Sequence, residues 1–305
     1  MKINIISILF ICLFTLGATA QVDRSKQPEP GPAPKINLGQ PEEFTLKNGL
    51  KVMVVENHKL PRVTASLVTD NKPQSQGAKP ATASLVSALL GTGTQKTSKD
   101  AYNEEIDFLG ASINFGSASA SASSLSKFFP RVLELMAEGA LTPKFSQAEF
   151  DSEKNKLVES IKSNEKNVGA IASRVSSALA YGHNHPYGEF PTVENTEAVT
   201  LQDVQKYYST YFVPKNAYLV VVGDIKASEV KKLAEKHFGN WKGGNPPVNE
   251  LPKVSNVPAT EINFVDMPNA VQSEIRVTNT YDLKMADEDY FPVMVTNQII
   301  GGSFG

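Results

Sequence analysis

One cysteine and four histidines are all that 305 residues offer as soft metal ligands. The cysteine, Cys12, lies in the first twenty residues, and none follows Ala20. If those twenty residues are removed, the remaining chain has no disulfide, no zinc–thiolate site and no thiol nucleophile. Any transition-metal site must then draw on His58, His183, His185, His237 and carboxylates. Net charge is also lacking: 30 Lys and Arg stand against 32 Asp and Glu, a formal charge of -2. That balance gives no electrostatic case for a nucleic-acid binder. Beyond the N-terminus, no apolar run approaches the ~20 residues that a membrane-spanning helix needs. With 41% apolar and 20% charged residues, the composition excludes disordered, collagenous and coiled-coil chains and is ordinary for a globular protein.

The N-terminus has the form of a cleaved export signal. Lys2 supplies a positive start, Ile5 to Leu16 is almost wholly apolar, and Ala18-Thr19-Ala20 has the small-x-small form of a cleavage site. Cys12 is not followed by the small-residue pattern of a lipid anchor. Export without cysteine suits a bacterial periplasm, where a core of this size needs no disulfide staples. The expectation is therefore a periplasmic or secreted protein with no membrane attachment after residues 1–20 are removed.

Residues 21–39 are polar and carry Pro28, Pro30, Pro32 and Pro34, which predicts a disordered or extended linker. Residues 40–242 read as one large unit of strands and helices. Asn48-Gly49 between alternating apolar residues is a hairpin signal. Val63 to Val68 reads as a strand, and Ala81 to Leu90 as a buried helix. Ser98 can cap a helix that carries Tyr102, Ile106 and Leu109 on one face and ends at Gly110. Ala111 to Leu125 suits two short strands, and Phe128 to Leu141 a helix. Ser146-Gln-Ala-Glu149 is a capping box. It opens a helix with Phe150, Leu157, Val158 and Ile161 facing inward. Helices are predicted over Ala170 to Tyr181, Leu201 to Tyr211 and Ala227 to Phe238. Gly182 to Thr200 reads as a loop, and Ala217 to Gly223 as an apolar strand buried on both faces. Residues 243–258, rich in Pro, Gly and Asn, mark a linker. In 259–305 the pattern restarts, with strands at Glu261 to Val265 and Ser273 to Thr280 and a helix from Asp287 to Ile300. A helix followed by a Gly-rich turn thus occurs twice, at Leu89-Leu90-Gly91-Thr92-Gly93 and at Ile299-Ile300-Gly301-Gly302. Such self-similarity points to an internal duplication with its second copy cut short.

These residues carry a resemblance. The run Phe44-Thr-Leu-Lys-Asn-Gly-Leu-Lys-Val, the helix ending in Gly93-Thr94, the loop His185-Pro-Tyr-Gly188, Leu201 to Tyr211 and Tyr218-Leu-Val-Val-Val-Gly-Asp224 resemble the insulinase/pitrilysin family of zinc peptidases, which includes the mitochondrial processing peptidases. The resemblance covers about residues 40–305, and the order of the motifs carries it. It implies an α+β fold of duplicated units, each a mixed, mostly antiparallel sheet flanked by helices, closing over an unfolded peptide. It also implies that the second unit continues past Gly305.

The resemblance further implies an inverted zincin motif, H-x-x-E-H, on the helix before the Gly-Thr turn of active members. Two His four residues apart share one helical face and one Zn²⁺, and the Glu deprotonates the metal-bound water. A Glu on a later helix completes the ligands. Counted back from Gly93-Thr94, the motif falls on Ser84-Leu85-Val86-Ser87-Ala88. Ser84 and Ala88 stand at the ligand positions and Ser87 at the base. The stretch Lys156-Leu-Val-Glu-Ser-Ile161 places Ser160 at the third ligand, with Glu159 one residue off and about 100° around the helix. No His or Cys lies between residues 59 and 182. No catalytic residue and no metal ligand is expected in this chain, and zinc is expected only in a partner subunit.

The remaining polar groups have plainer readings. His183-Asn-His185 could meet a metal from one side of an extended segment, but a turn or packing role suits its Gly/Pro loop better. His58 and His237 are isolated in sequence. The alternating Ser and Ala of Ser117 to Ser126 lack a base at any recognisable spacing and suit a flat strand pair. Gly301, Gly302, Ser303 and Phe304 follow a helix and border the substrate chamber by the family pattern. A structural turn is the equal alternative.

The leading expectation is a non-catalytic family member that binds extended peptides by strand addition and pairs with a catalytic insulinase-family subunit. The binding edge is expected near the strand leading to Ala81. Two alternatives stand beside it: an active zinc endopeptidase with unrecognised ligands, and a stand-alone peptide-binding scaffold.

Overall fold

Six strands run side by side in the order β1-β2-β6-β3-β5-β4. β1 (Glu42–Thr45) and β2 (Lys51–Glu56) form the hairpin that Asn48-Gly49 predicts, with Gly49 at φ 95°. The Asn48 amide also donates to the carbonyls of Phe238 at 2.7 Å and Trp241 at 3.1 Å, so the turn secures a distant helix end. β3 (Arg62–Thr69) lies between β6 (Ala217–Gly223) and β5 (Ser119–Leu125), antiparallel to both. β4 (Ser112–Gly116) closes the sheet as its outer strand, and only β2–β6 is parallel. This is the mixed, mostly antiparallel sheet flanked by helices that the resemblance implies. The computed structural model describes residues 31–32, 40–248, 250–268 and 270–302. The chain divides into two units, Met1–Gly39 and Gln40–Gly305, and the sheet and its helices belong to the second. The predicted signal peptide and nearly all of the Pro-rich linker lie outside the described residues.

The helices are α1 (Thr82–Leu89), α2 (Lys99–Phe108), α3 (Phe129–Leu141), α4 (Gln147–Asn164), α5 (Val168–Tyr181), α6 (Val193–Glu197), α7 (Leu201–Tyr211), α8 (Ala227–Phe238) and α9 (Tyr290–Gly301). α3 and α8 cover one face of the sheet. Val132, Leu133, Met136 and Ala140 of α3 and Val230, Ala234 and Phe238 of α8 pack on Val52, Val54, Ala65, Leu67, Leu219 and Val221. A second cluster forms among α1, α4 and α7 from Leu85, Val86, Leu89, Phe150 and Val204. Phe115 of β4 touches both clusters.

Five expectations change. β6 is buried on one face only: Val222 is 40% exposed, level with Thr64 of β3, and Val55 and Val68 are open beside it. Among the described residues the helices cover a single face, so the apolar run marks a central strand rather than one enclosed on both sides. The strand leading to Ala81 is β3, which has a partner on each side, so the free edges are β1 and β4. The stretch 182–200 is not all loop, since Thr192 and Asn195 form a capping box that starts α6. Between Phe238 and Tyr290 no strand forms among the described residues. Ile262, Phe264, Ile275 and Val277 lie 85–97% exposed, without the neighbouring strand that would turn their alternation into a ladder. The predicted helix there is present as α9. Ser146 caps α4 as expected, accepting from the Glu149 amide, while the Glu149 carboxylate turns instead to Lys99 at 2.7 Å.

Gly139 of α3 is where the packing is tightest. A Cβ there would stand 2.4 Å from the Phe115 ring and 2.6 Å from the Tyr102 hydroxyl. Tyr102 is buried, and its hydroxyl donates to the Leu135 carbonyl at 2.8 Å. Gly139→Ala gains about 1 kcal/mol of helix propensity but overpacks a closed site at a cost of about 1–3 kcal/mol or more. A net loss of stability in urea unfolding is expected, larger than for alanine at the open Gly244.

Candidate functional site

The geometry around α1 follows from its spacing. Thr82, Leu85, Val86 and Leu89 face the second cluster, so Ser84 and Ala88, one turn apart, face out together. Ser87 lies at the rim, half-buried, and its hydroxyl donates to the Phe115 carbonyl of β4 at 3.2 Å. The helix stops at a glycine turn. Gly91 has φ 83° and a Cβ there would press 2.7 Å from the Phe115 ring, so the residue must be glycine on two counts. The helix that the family places in the active site thus runs beside the free edge of β4.

The start of α1 is held from three directions. Ala81 offers no side-chain cap, and the Gln76 side chain accepts the Ala83 amide at 2.8 Å in its place. The Glu189 carboxylate accepts from the amides of Gln76 at 2.9 Å and Gly77 at 3.1 Å and from the Ser75 hydroxyl. Lys79 pairs with Asp203 at 2.6 Å, the residue whose carboxylate also completes the capping box of α7. Burial raises the Asp203 carboxyl, but Lys79 and Thr200 outweigh it and hold the group at about 2. Sequence reading missed Glu189 and Lys79, because each acts through a contact more than a hundred residues away, and Gln76, because it reaches Ala83 from seven residues back, outside the usual N-cap spacing. The capping signal Thr200-x-x-Asp203 was the one visible trace.

On α4, Phe150, Val158 and Ile161 face inward as predicted, and Ser160 and Glu159 face solvent. Glu159 pairs with Lys162 at 2.8 Å. The carboxylate on the inward side of α4 is Glu153, one turn from Phe150 and from Leu157. Its side chain is 16% exposed and paired with Lys156 at 2.8 Å.

Among the described residues the four histidines join no group of three or more potential metal ligands. His185 is buried, stacks on Tyr181 at 5.1 Å, and accepts the Tyr187 amide on Nδ1 at 3.1 Å. His183 sits edge-on to Phe190. His58 lies between Asp224 at 2.6 Å and Glu56 at 3.3 Å, and its hydrogen bonds to these two carboxylates raise its pKa. Burial lowers the pKa of His237, whose Nε2 finds no partner among the described residues. Gly301 and Gly302 lie at the exposed end of α9 and touch none of these groups among the described residues; Ser303 and Phe304 fall outside them.

Comparison with known proteins fits this arrangement. Residues 73–187 match the family model described as Insulinase (Peptidase family M16), and residues 198–305 match the Peptidase M16 inactive domain. The chain belongs to the insulinase (M16) family. The beta subunit of the mitochondrial-processing peptidase of Rattus norvegicus is 26% identical over 226 residues, covering 72% of this chain and 46% of that protein. The zinc protease PqqE of Helicobacter pylori is 28% identical over 224 residues, covering 67% of this chain and 48% of that one. The chain therefore spans about half the length of these relatives. Among solved structures, a peptidase M16 inactive domain from Pseudomonas fluorescens superposes with a TM-score of 0.64 at 23% identity, over 71% of this chain and 54% of that one. A protease from Helicobacter pylori follows at 0.61 and 24%, over 71% and 53%.

The donors on α1 do not fit the metal of a zinc peptidase. Ser84 offers a neutral hydroxyl and Ala88 a methyl group, and among the described residues no three His, Cys, Asp or Glu gather where a metal could sit.

Two outcomes test this geometry. Ser84→His with Ala88→His should place two imidazoles on one exposed face and give Zn²⁺ uptake in equilibrium dialysis that the parent lacks. The Asp203 carboxyl is held below its ordinary 3.8, so its contribution to stability is complete above that value and is lost as pH falls toward about 2. Asp203→Asn should flatten that part of the acid-unfolding curve. At the same helix end, Thr200→Ala should cost about 1 kcal/mol in denaturant unfolding at neutral pH.

Proposed function

We propose that this chain is a non-catalytic insulinase-family subunit that holds extended peptide substrates for a zinc-bearing partner. The observation that carries the proposal is the pair Ser84 and Ala88, aimed outward from α1 where two metal ligands would stand, in an otherwise intact frame. The match of residues 198–305 to an inactive-type domain agrees with it. Peptide would add to the free edge of β4 beside α1, where backbone groups recognise backbone and tolerate varied side chains. This moves the expected edge from β3, which is central, to β4. The zinc motif and the attacking water would belong to the partner, and this copy would line the shared chamber. The export-type N-terminus supports a location for the pair outside the cytoplasm, in the periplasm or the medium.

The test compares the purified chain with native complexes. The isolated protein should carry no stoichiometric zinc and show no chelator-sensitive cleavage of an unstructured peptide. Purification from native extract should bring down a subunit bearing H-x-x-E-H in equal amount, with cleavage activity. Chelator-sensitive cleavage by the isolated chain would overturn the proposal in favour of an unrecognised zinc site. A chain that binds peptide but recovers no such subunit would be a stand-alone binding protein.

A further inference from the structure

The turn between β4 and β5 decides which groups of the outer strand are free. Gly116 and Ser119 face each other across the two residues Ser117 and Ala118. In a two-residue hairpin that flanking pair is the hydrogen-bonded kind, and the two kinds alternate along the ladder. The pairs Phe115–Ala120 and Ile113–Ala122 are then the non-hydrogen-bonded kind. The N–H and C=O of Phe115 and Ile113 therefore point away from β5, to the open edge. The Ser87 contact agrees, because its hydroxyl reaches the Phe115 carbonyl from the α1 side.

Both ends of that contact are firmly placed. Phe115 cannot turn, because its ring is wedged where Gly91 and Gly139 leave no room for a Cβ. Ser87 is carried by a helix whose other face is buried through Leu85, Val86 and Leu89. The position that the family gives to the catalytic base thus holds a hydroxyl fastened to the edge strand.

We propose that Ser87 sets the register of peptide addition to β4. The inference rests on the peptide-binding reading above. With the Phe115 carbonyl already taken, an added strand finds three of the four edge groups: both groups of Ile113 and the amide of Phe115. Peptide is thereby directed toward the Ile113 end, and the residue facing Phe115 keeps its own N–H unbonded. A chain with a proline or an N-methyl group at that place is accepted without loss.

The experiment uses the full chain, a fluorescein-labelled Thr-Val decapeptide, and the same peptide N-methylated at single positions. Ser87→Ala frees the Phe115 carbonyl and should tighten binding about fivefold, the worth of one added backbone hydrogen bond. Ser87→Thr should stay near the parent. One N-methyl position should leave the parent unchanged and abolish the gain of Ser87→Ala, a pattern that a merely structural role would not give. The NMR carbonyl shift of Phe115, followed without peptide, should move in Ser87→Ala and not in Ser87→Thr. Equal peptide affinity of parent and Ser87→Ala, with the carbonyl shift moved, would overturn the register role while peptide binding stands. Failure of the peptide to bind either protein would overturn both.

Discussion

Two side chains join the two halves of the fold. The cluster between the sheet and α3 and α8, and the cluster among α1, α4 and α7, meet at the rings of Tyr208 and Phe115. Two glycines, in a turn and in a helix distant in sequence, are shaped to receive Phe115. An outer strand is ordinarily the least fixed part of a sheet. Here it is tied by its side chain to the core and by its backbone to α1, so the edge next to the family's catalytic helix is a rigid one. Rigidity at a backbone-binding edge limits the ordering that association requires.

The loop before α1 gives the second constraint. Glu189, Gln76, Lys79 and Asp203 bind the loop, the His-Pro turn and α7 into one assembly around the helix start. The aromatic packing of His185 with Tyr181 and Tyr187 supports that turn from beneath. The His-Pro turn is therefore a brace for the start of α1, and its buried His185 packs against Tyr181 and Tyr187. Together these contacts fix the position and direction of α1, the helix that carries Ser84, Ser87 and Ala88.

Much of this was legible in the sequence where the signal is local. Asn48-Gly49 predicts its hairpin, Ser98 and Ser146 their caps, and the apolar stretch Ala81 to Leu90 its helix. That helix was expected to be buried, and the exposed face that Ser84 and Ala88 share was not foreseen. Contacts that join distant segments were not legible. The order of strands, and with it the free edge, depends on β6 entering between β2 and β3 from about 150 residues away. Ser87 as a tether was hidden for the same reason, and Gln76 as a helix cap because it reaches Ala83 from outside the usual N-cap spacing. The apolar run of β6 misled because it reports a central position and says nothing of whether each face has a cover.

The Ser-Ala alternation of β5 has a consequence for how its pairing is fixed. Ser119, Ser121 and Ser123 share one face and Ala120 and Ala122 the other, so sliding the strand by two residues exchanges like for like. The middle of the strand therefore holds almost no information about its own alignment. That information sits at the ends, where Thr69 binds the Ala118 carbonyl at 2.8 Å and Ser126 reaches the Pro61 carbonyl and Asp224, each at 3.0 Å. The strand behaves like an unmarked ruler clamped at its two tips.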